Sequence, residues 1–276
     1  MRLHYTFRVT LTLLLALGAA ALCVALPTPL PWMIGPLVVT AVASMAGAPT
    51  ESWAPLRNGG QWVIGAALGL YFTPQVMALV ASLWWAILLA IAWALMLGVS
   101  FAAVLYRLHA PRLAGVAPDA MRATAFFAGA VGGASEMTLL AERVGARTDL
   151  VAAAHSLRLM VVVLVIPFGL QASGLTGVDV TSPGPRIVHP FGLLALGVCT
   201  VAGALVMQRL GRANPWFMGS LVVAMGFTMA GITLSAIPAA LSNAAQLVIG
   251  VSLGVRFTSG FLHTAPRWLA SVALGT

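Results

Sequence analysis

The chain has 276 residues, 61% of them hydrophobic and 7% charged, with a mean hydropathy of +1.00. So little charge cannot wet the surface of a soluble domain, and an all-α polytopic membrane protein is expected. The 14 basic residues exceed the 6 acidic ones by 8; all are arginine, scattered through short inter-helix segments, which excludes a nucleic-acid surface and suits topology determinants.

Hydrophobic runs of about 17–25 residues mark membrane spans. They predict helices near 9–26, 30–47, 59–72, 78–105, 150–170, 188–208, 214–232 and 244–258, with a last run from about 266. Arg2 and Arg8 before Val9–Leu26 resemble a signal peptide. Cleavage is not expected, because a corresponding span recurs inside the chain. The region 122–142 is interrupted by Gly129, Gly132 and Gly133 and predicts a broken or re-entrant segment, which a membrane tolerates only where protein or a watery cavity covers the loosened backbone.

The chain then repeats itself. Pro31-Trp-Met-Ile-Gly35 returns as Pro215-Trp-Phe-Met-Gly219, and Asn58-Gly-Gly-Gln61 with its apolar continuation returns as Asn243-Ala-Ala-Gln246. Two blocks in one order at nearly one offset predict a duplication: a first membrane repeat over 1–172, a linker over 173–187, and a second repeat over 188–276. Placing the N-terminus in the cytoplasm, with 122–142 re-entering rather than crossing, puts Arg2, Arg8, Arg57, Arg107, Arg112, Arg122, Arg143, Arg147, Arg209, Arg212, Arg256 and Arg267 on the inner side and only Arg186 clearly outside. That bias favours inverted repeats, an architecture that transporters use with the site between broken helices. A second-copy counterpart of Gly132 would fall beyond Thr276, so the second repeat is expected to be incomplete: either the chain is a truncated form, or a second copy or a partner chain completes the site.

Each polar feature has two readings. Pro31, Trp32 and Gly35, with Pro215, Trp216 and Gly219, either anchor helix starts at the membrane interface and supply small packing residues, or aim a half-helix N-terminus at an anion with a helix break at Gly35-Pro36. Asn58, Gln61, Asn243 and Gln246 either cap or hydrogen-bond helices, or line a polar path. Gly132, Gly133 and Ser135 supply a re-entrant turn, and Glu136 after them either binds a cation or proton, or caps the next turn near Glu142 and Arg143. His155 and Arg158 share one helix face. Arg158 lies about eight residues into its span, roughly 12 Å at 1.5 Å per residue, which makes an ion pair with Glu136 the simplest partner. That pair is either structural, or Arg158 clamps a substrate anion while Glu136 and His155 relay a proton.

Nothing resembles an enzyme's equipment: there is no Gly-x-Ser-x-Gly, no His-x-x-x-His and no P-loop. Cys23 and Cys199 are expected to be small buried hydrophobes, and His4, His109, His155, His189 and His263 are dispersed, so neither metal nor cofactor is expected.

The doubled Pro-Trp-x-x-Gly motif resembles the bacterial AbrB-type duplicated membrane protein family. So do Gly132-Gly-x-Ser-Glu-Met137, Val144-Gly145-Ala146, Asp149, Val151, His155 and Leu157-Arg158-Leu159, followed by a Val-rich run and Pro167. Members often carry the label ammonia monooxygenase or regulator of gene expression. The first label implies an oxidase, for which no copper or iron ligand cluster is present; the second shares its name with a soluble DNA-binding regulator that so apolar a chain cannot be. The resemblance implies a two-repeat inner-membrane protein with transport-like activity; the intramembrane charges, broken segments and duplication point to proton-coupled movement of a small anionic or polar solute. The alternatives are a non-transporting membrane component in gene regulation or a partner subunit, and third a monooxygenase. The expected partners are the lipid bilayer and a small solute, together with a second copy or partner chain, without nucleic acid.

Overall fold

The computed structural model describes residues 2–111, 117–174, 187–260 and 266–276, apart from the side chains of residues 2–4 and 135. Most of the linker expected over 173–187, together with Arg112, Arg186 and His263, therefore lies outside the described residues. Those described form twelve α-helices and no strand. In chain order these are α1 (Arg2–Ala25), α2 (Pro31–Met45), α3 (Ala54–Gly69), α4 (Pro74–Ser82), α5 (Trp84–His109), α6 (Pro118–Gly129), α7 (Ala134–Arg143), α8 (Thr148–Ser173), α9 (Pro190–Arg209), α10 (Pro215–Met229), α11 (Ala239–Gly254) and α12 (Pro266–Leu274).

Residues 5–25 of α1 and the whole of α5, α8 and α9 are long and apolar enough to cross a membrane, and α3 with α4 makes a fifth candidate bent by 79°. Their large apolar side chains are widely exposed, with Trp84, Trp85 and Trp93 among those on α5. An apolar face of this extent is untenable in water and suits lipid.

The run read as a single span over 78–105 is two helices. Thr73 caps α4 by accepting the Val76 N–H (3.3 Å), Pro74 fills its first turn, and the chain leaves helical geometry at Leu83. Hydropathy is blind to such a break because residues on both sides of it are apolar. Conversely, no break follows Gly35: α2 runs through Pro36 uninterrupted, since its ring displaces only the Trp32 carbonyl in the helix's first turn. Asn58 and Asn243 do not cap helices either. With α3 opening at Ala54 and α11 at Ala239, both residues lie in the second turn.

The described residues fall into two compact units, each drawing on both halves of the sequence: residues 1–43, 49–83 and 171–255, and residues 44–48, 84–170 and 256–276. In the first, α3 packs on α10 and α11, and α10 packs on α9. Close crossings are made by glycines, and corresponding positions make corresponding contacts. A Cβ added to Gly65 would meet the Phe217 carbonyl; one added to Gly250 would stand 2.7 Å from that of Met33. A Cβ on Gly69 would stand 2.6 Å from the Leu221 carbonyl, and one on Gly254 2.8 Å from that of Leu37. A Cβ on Gly35 would stand 2.7 Å from the Ala19 carbonyl, and one on Gly219 would overlap Gly203 and Ala204. The residue before each Pro-Trp pair is left-handed in both places, Leu30 at φ 44° and Asn214 at φ 45°.

In the second unit α5 and α6 meet at Gly98 and Gly129, where a Cβ on Gly129 would stand 2.8 Å from the Gly98 carbonyl. The C-terminal helix α12 is seated by Trp268, which is fully buried, stacks edge-on against His109 (5.1 Å between centroids) and donates Nε1–H to the Leu150 carbonyl (3.3 Å). The His109 Nε2 and Ser271 Oγ are 3.0 Å apart in a hydrogen bond.

Candidate functional site

The expected interruption within 122–142 lies over residues 130–133, between α6 and α7. A helix that ends leaves its last carbonyls unpaired, and at the end of α6 they are answered from α8. His155 donates Nε2–H to the Phe127 carbonyl (2.9 Å). Arg158 donates Nη2–H to Ala128 (2.9 Å) and Nη1–H to Ala130 (3.1 Å), with its guanidinium carbon 5.9 Å from the Phe101 ring centroid. His155 and Arg158 are one turn apart, so a single face of α8 clasps one helix end, and a cation there also meets the negative pole of the helix dipole.

This corrects the expected partner of Arg158. Among the described residues the ion pair is Arg147 with Asp149, not Arg158 with Glu136. The Glu136 carboxylate instead folds back over Gly133, the residue that opens α7, and Met137 folds over Gly132. A carboxylate at the third position of a helix is favoured there by unpaired N–H groups and the positive dipole end. Glu136→Gln is therefore expected to change stability by less than about 1 kcal/mol, measured as thermal unfolding in detergent micelles. A loss as large as that of an Arg158 variant would restore the pair.

Arg147 ties the start of α8 to α6, its backbone N–H donating to Thr124 Oγ1 (2.9 Å). Its Nε and Nη2 reach the two Asp149 oxygens at 2.9 and 2.6 Å, and the carboxylate raises its pKa above the ordinary arginine value. Gly145, at φ 69°, closes α7 in the left-handed conformation, with Ala146 N–H reaching back to the Ala141 carbonyl (2.9 Å).

Beside the interruption, α7, α8 and residues 256–258 enclose a cleft of about 620 Å³. Ala134, Thr138 and Glu142 line it from one face of α7, and Asp149, Ala152, Ala153 and Ser156 from one face of α8; Arg256 and Thr258 complete it. The sequence reading did not bring these residues together. The four-residue spacing Ala134, Thr138, Glu142 was the available signal, but short polar residues at helical spacing also describe an ordinary solvated face. A cleft of about 660 Å³ in the first unit, between α3 and α9, is lined almost wholly by hydrocarbon, and its Trp62 indole and Thr200 hydroxyl bond each other (2.9 Å). It offers a polar solute little, and the α7–α8 cleft is the stronger candidate.

The other sequence candidates lie elsewhere. Gln61 donates Nε2–H to Asn214 Oδ1 (3.4 Å), while Asn243 borders an apolar cleft with Leu13 and Trp32, so these amides do not share one cleft. Among the described residues no three His, Cys, Asp or Glu side chains gather as metal ligands would.

The profile of the family described as "Transition state regulatory protein AbrB" matches residues 32–276. Among curated proteins, "Uncharacterized protein YhjN" of Bacillus subtilis (strain 168) is 30% identical over 145 residues, 50% of this chain and 35% of that protein, so the match spans about a third of the relative's length. No solved structure matches.

Proposed function

The chain belongs to the AbrB family, and on that premise we propose that it is a multi-pass inner-membrane permease that moves a small polar or anionic solute, its N-terminus facing the cytoplasm. The observation that carries the reading is the interrupted α6–α7 pair. Its loosened backbone is held by a cation and an imidazole from an apolar helix, beside a cleft that gathers charged and hydroxyl groups. Interrupted helices are tolerated at membrane depth where they border a cavity, and transporters place their sites there. The matched contacts of α2 and α3 with those of α10 and α11 support a duplicated architecture, and the arginine sidedness supports inversion of its copies. In this scheme His155 and Arg158 are positioning residues, because the atoms described above bind α6 rather than open space.

Purified protein reconstituted into proteoliposomes, with a pH dye trapped inside, tests this against inorganic phosphate, acetate, succinate and a set of L-amino acids. At least one should drive solute uptake, with any coupled proton movement read from the dye, and uptake should fall more than tenfold in Arg158→Lys, which keeps the charge but not the forked geometry. The family description names a regulator, and a non-transporting membrane component is the second reading. Absence of uptake for every probe, with a protein that co-purifies stoichiometrically, would select it.

A further inference from the structure

We infer that the α7–α8 cleft takes a small zwitterion, a solute carrying both an ammonium and a carboxylate. In calling that ligand the transported solute, the inference rests on the reading above; as a binding site it does not. The chain has only 6 acidic residues, and two of them, Glu142 and Asp149, border this one cleft. Asp149 is matched within the protein by Arg147 at 2.6 Å. Glu142 has no ion-pair partner among the described residues, so its charge is available to a ligand's ammonium. Arg256 brings a guanidinium to the same lining. With five N–H donors it can hold a protein acceptor and a ligand carboxylate together.

Ser156 supplies the independent observation. It is 8% exposed, lines the cleft and makes no hydrogen bond among the described residues. Some other helical serines return their protons to a carbonyl of the preceding turn, Ser220 to Trp216 (2.8 Å) and Ser252 to Ile249 (2.9 Å), whereas Ser44, equally buried, does not. Its hydroxyl opens on the cleft without a protein partner, and so offers a donor and an acceptor to a solute there. Ala152 and Ala153 form a small-residue wall, and about 620 Å³ is within the range of small-molecule sites. A simple anion would meet Glu142 and a simple cation would meet Arg256, so neither matches both signs of charge in the lining.

Calorimetric titration of the full chain in lipid nanodiscs tests this. The probes are L-leucine and L-glutamine, and for leucine its two halves, 4-methylpentanoate without the ammonium and 3-methylbutylamine without the carboxylate. One of the two amino acids should bind saturably, and leucine, or glutamine against the same pair, should bind at least tenfold more tightly than either half. Glu142→Gln should cost at least tenfold and Ser156→Ala about fivefold, with the melting temperature unchanged. Equal affinity for 4-methylpentanoate, an unaffected Glu142→Gln, or no saturable binding of either amino acid would overturn the inference. Zwitterion-selective binding without uptake in proteoliposomes would remove the transport reading and leave this one; uptake of other probes only would do the reverse.

Discussion

Replacing Arg158 by methionine should lower the stability of the protein by about 2–4 kcal/mol, seen as a depressed unfolding transition in detergent or nanodiscs. Its guanidinium donates to the carbonyls of both Ala128 and Ala130 at the end of α6. Hydrogen bonds to a charged partner contribute roughly 1.5–3 kcal/mol each. Methionine fills similar volume but leaves both acceptors unanswered in half-buried surroundings. The estimate stays below the full sum because removing a cation from a long apolar helix also removes its cost of insertion, about 2.5–3.5 kcal/mol on insertion scales. Arg158→Lys should recover part of the loss, since one ammonium cannot reproduce a fork spanning two carbonyls. An Arg158→Met protein that unfolds together with the wild type would dismiss the clasp.

Valine at Gly219 should be more damaging still, by about 3 kcal/mol or more, at the upper end of overpacking effects. A Cβ there would overlap the backbone of Gly203 and Ala204, and neither can retreat as the end of a flexible side chain does. The matching substitution at Gly35, against Ala19 and Ala20, should cost a similar amount. Gly18 and Gly226 have nothing within 4 Å of the added carbon, and alanine at either should alter stability by no more than about 1 kcal/mol, the helix-propensity difference. The four variants, compared by the fraction of protein recovered folded and by unfolding midpoint, form one experiment. Equal behaviour of Gly219→Val and Gly226→Ala would refute the crossing.

The features that the sequence made legible are those that short-range chemistry controls. Pro31 and Pro215 open helices because proline lacks an N–H that the first turn does not use, and the α6–α7 interruption falls where Gly129, Gly132 and Gly133 loosen the backbone. What escaped has no local signature. The acceptors for Arg158 are backbone carbonyls, which every residue possesses, so the residue types point to the carboxylate of Glu136 and not to the end of a helix. Trp268 is seated by His109 and Leu150, far from it along the chain, and nothing in their types marks them as its neighbours. The break at Leu83 is hidden by uniform hydropathy.

The glycine crossings also bear on mechanics. Where one backbone lies directly on another, no side chain remains to change rotamer and take up a displacement. Such a contact is stiff, and a lattice of them over α2, α3, α10 and α11 translates or turns as a block. Compliance then belongs to places whose peptide groups are not locked into a helical ladder, of which the Ala130–Gly133 stretch is one. A pivot there would transmit its motion through Arg158 and His155 into α8.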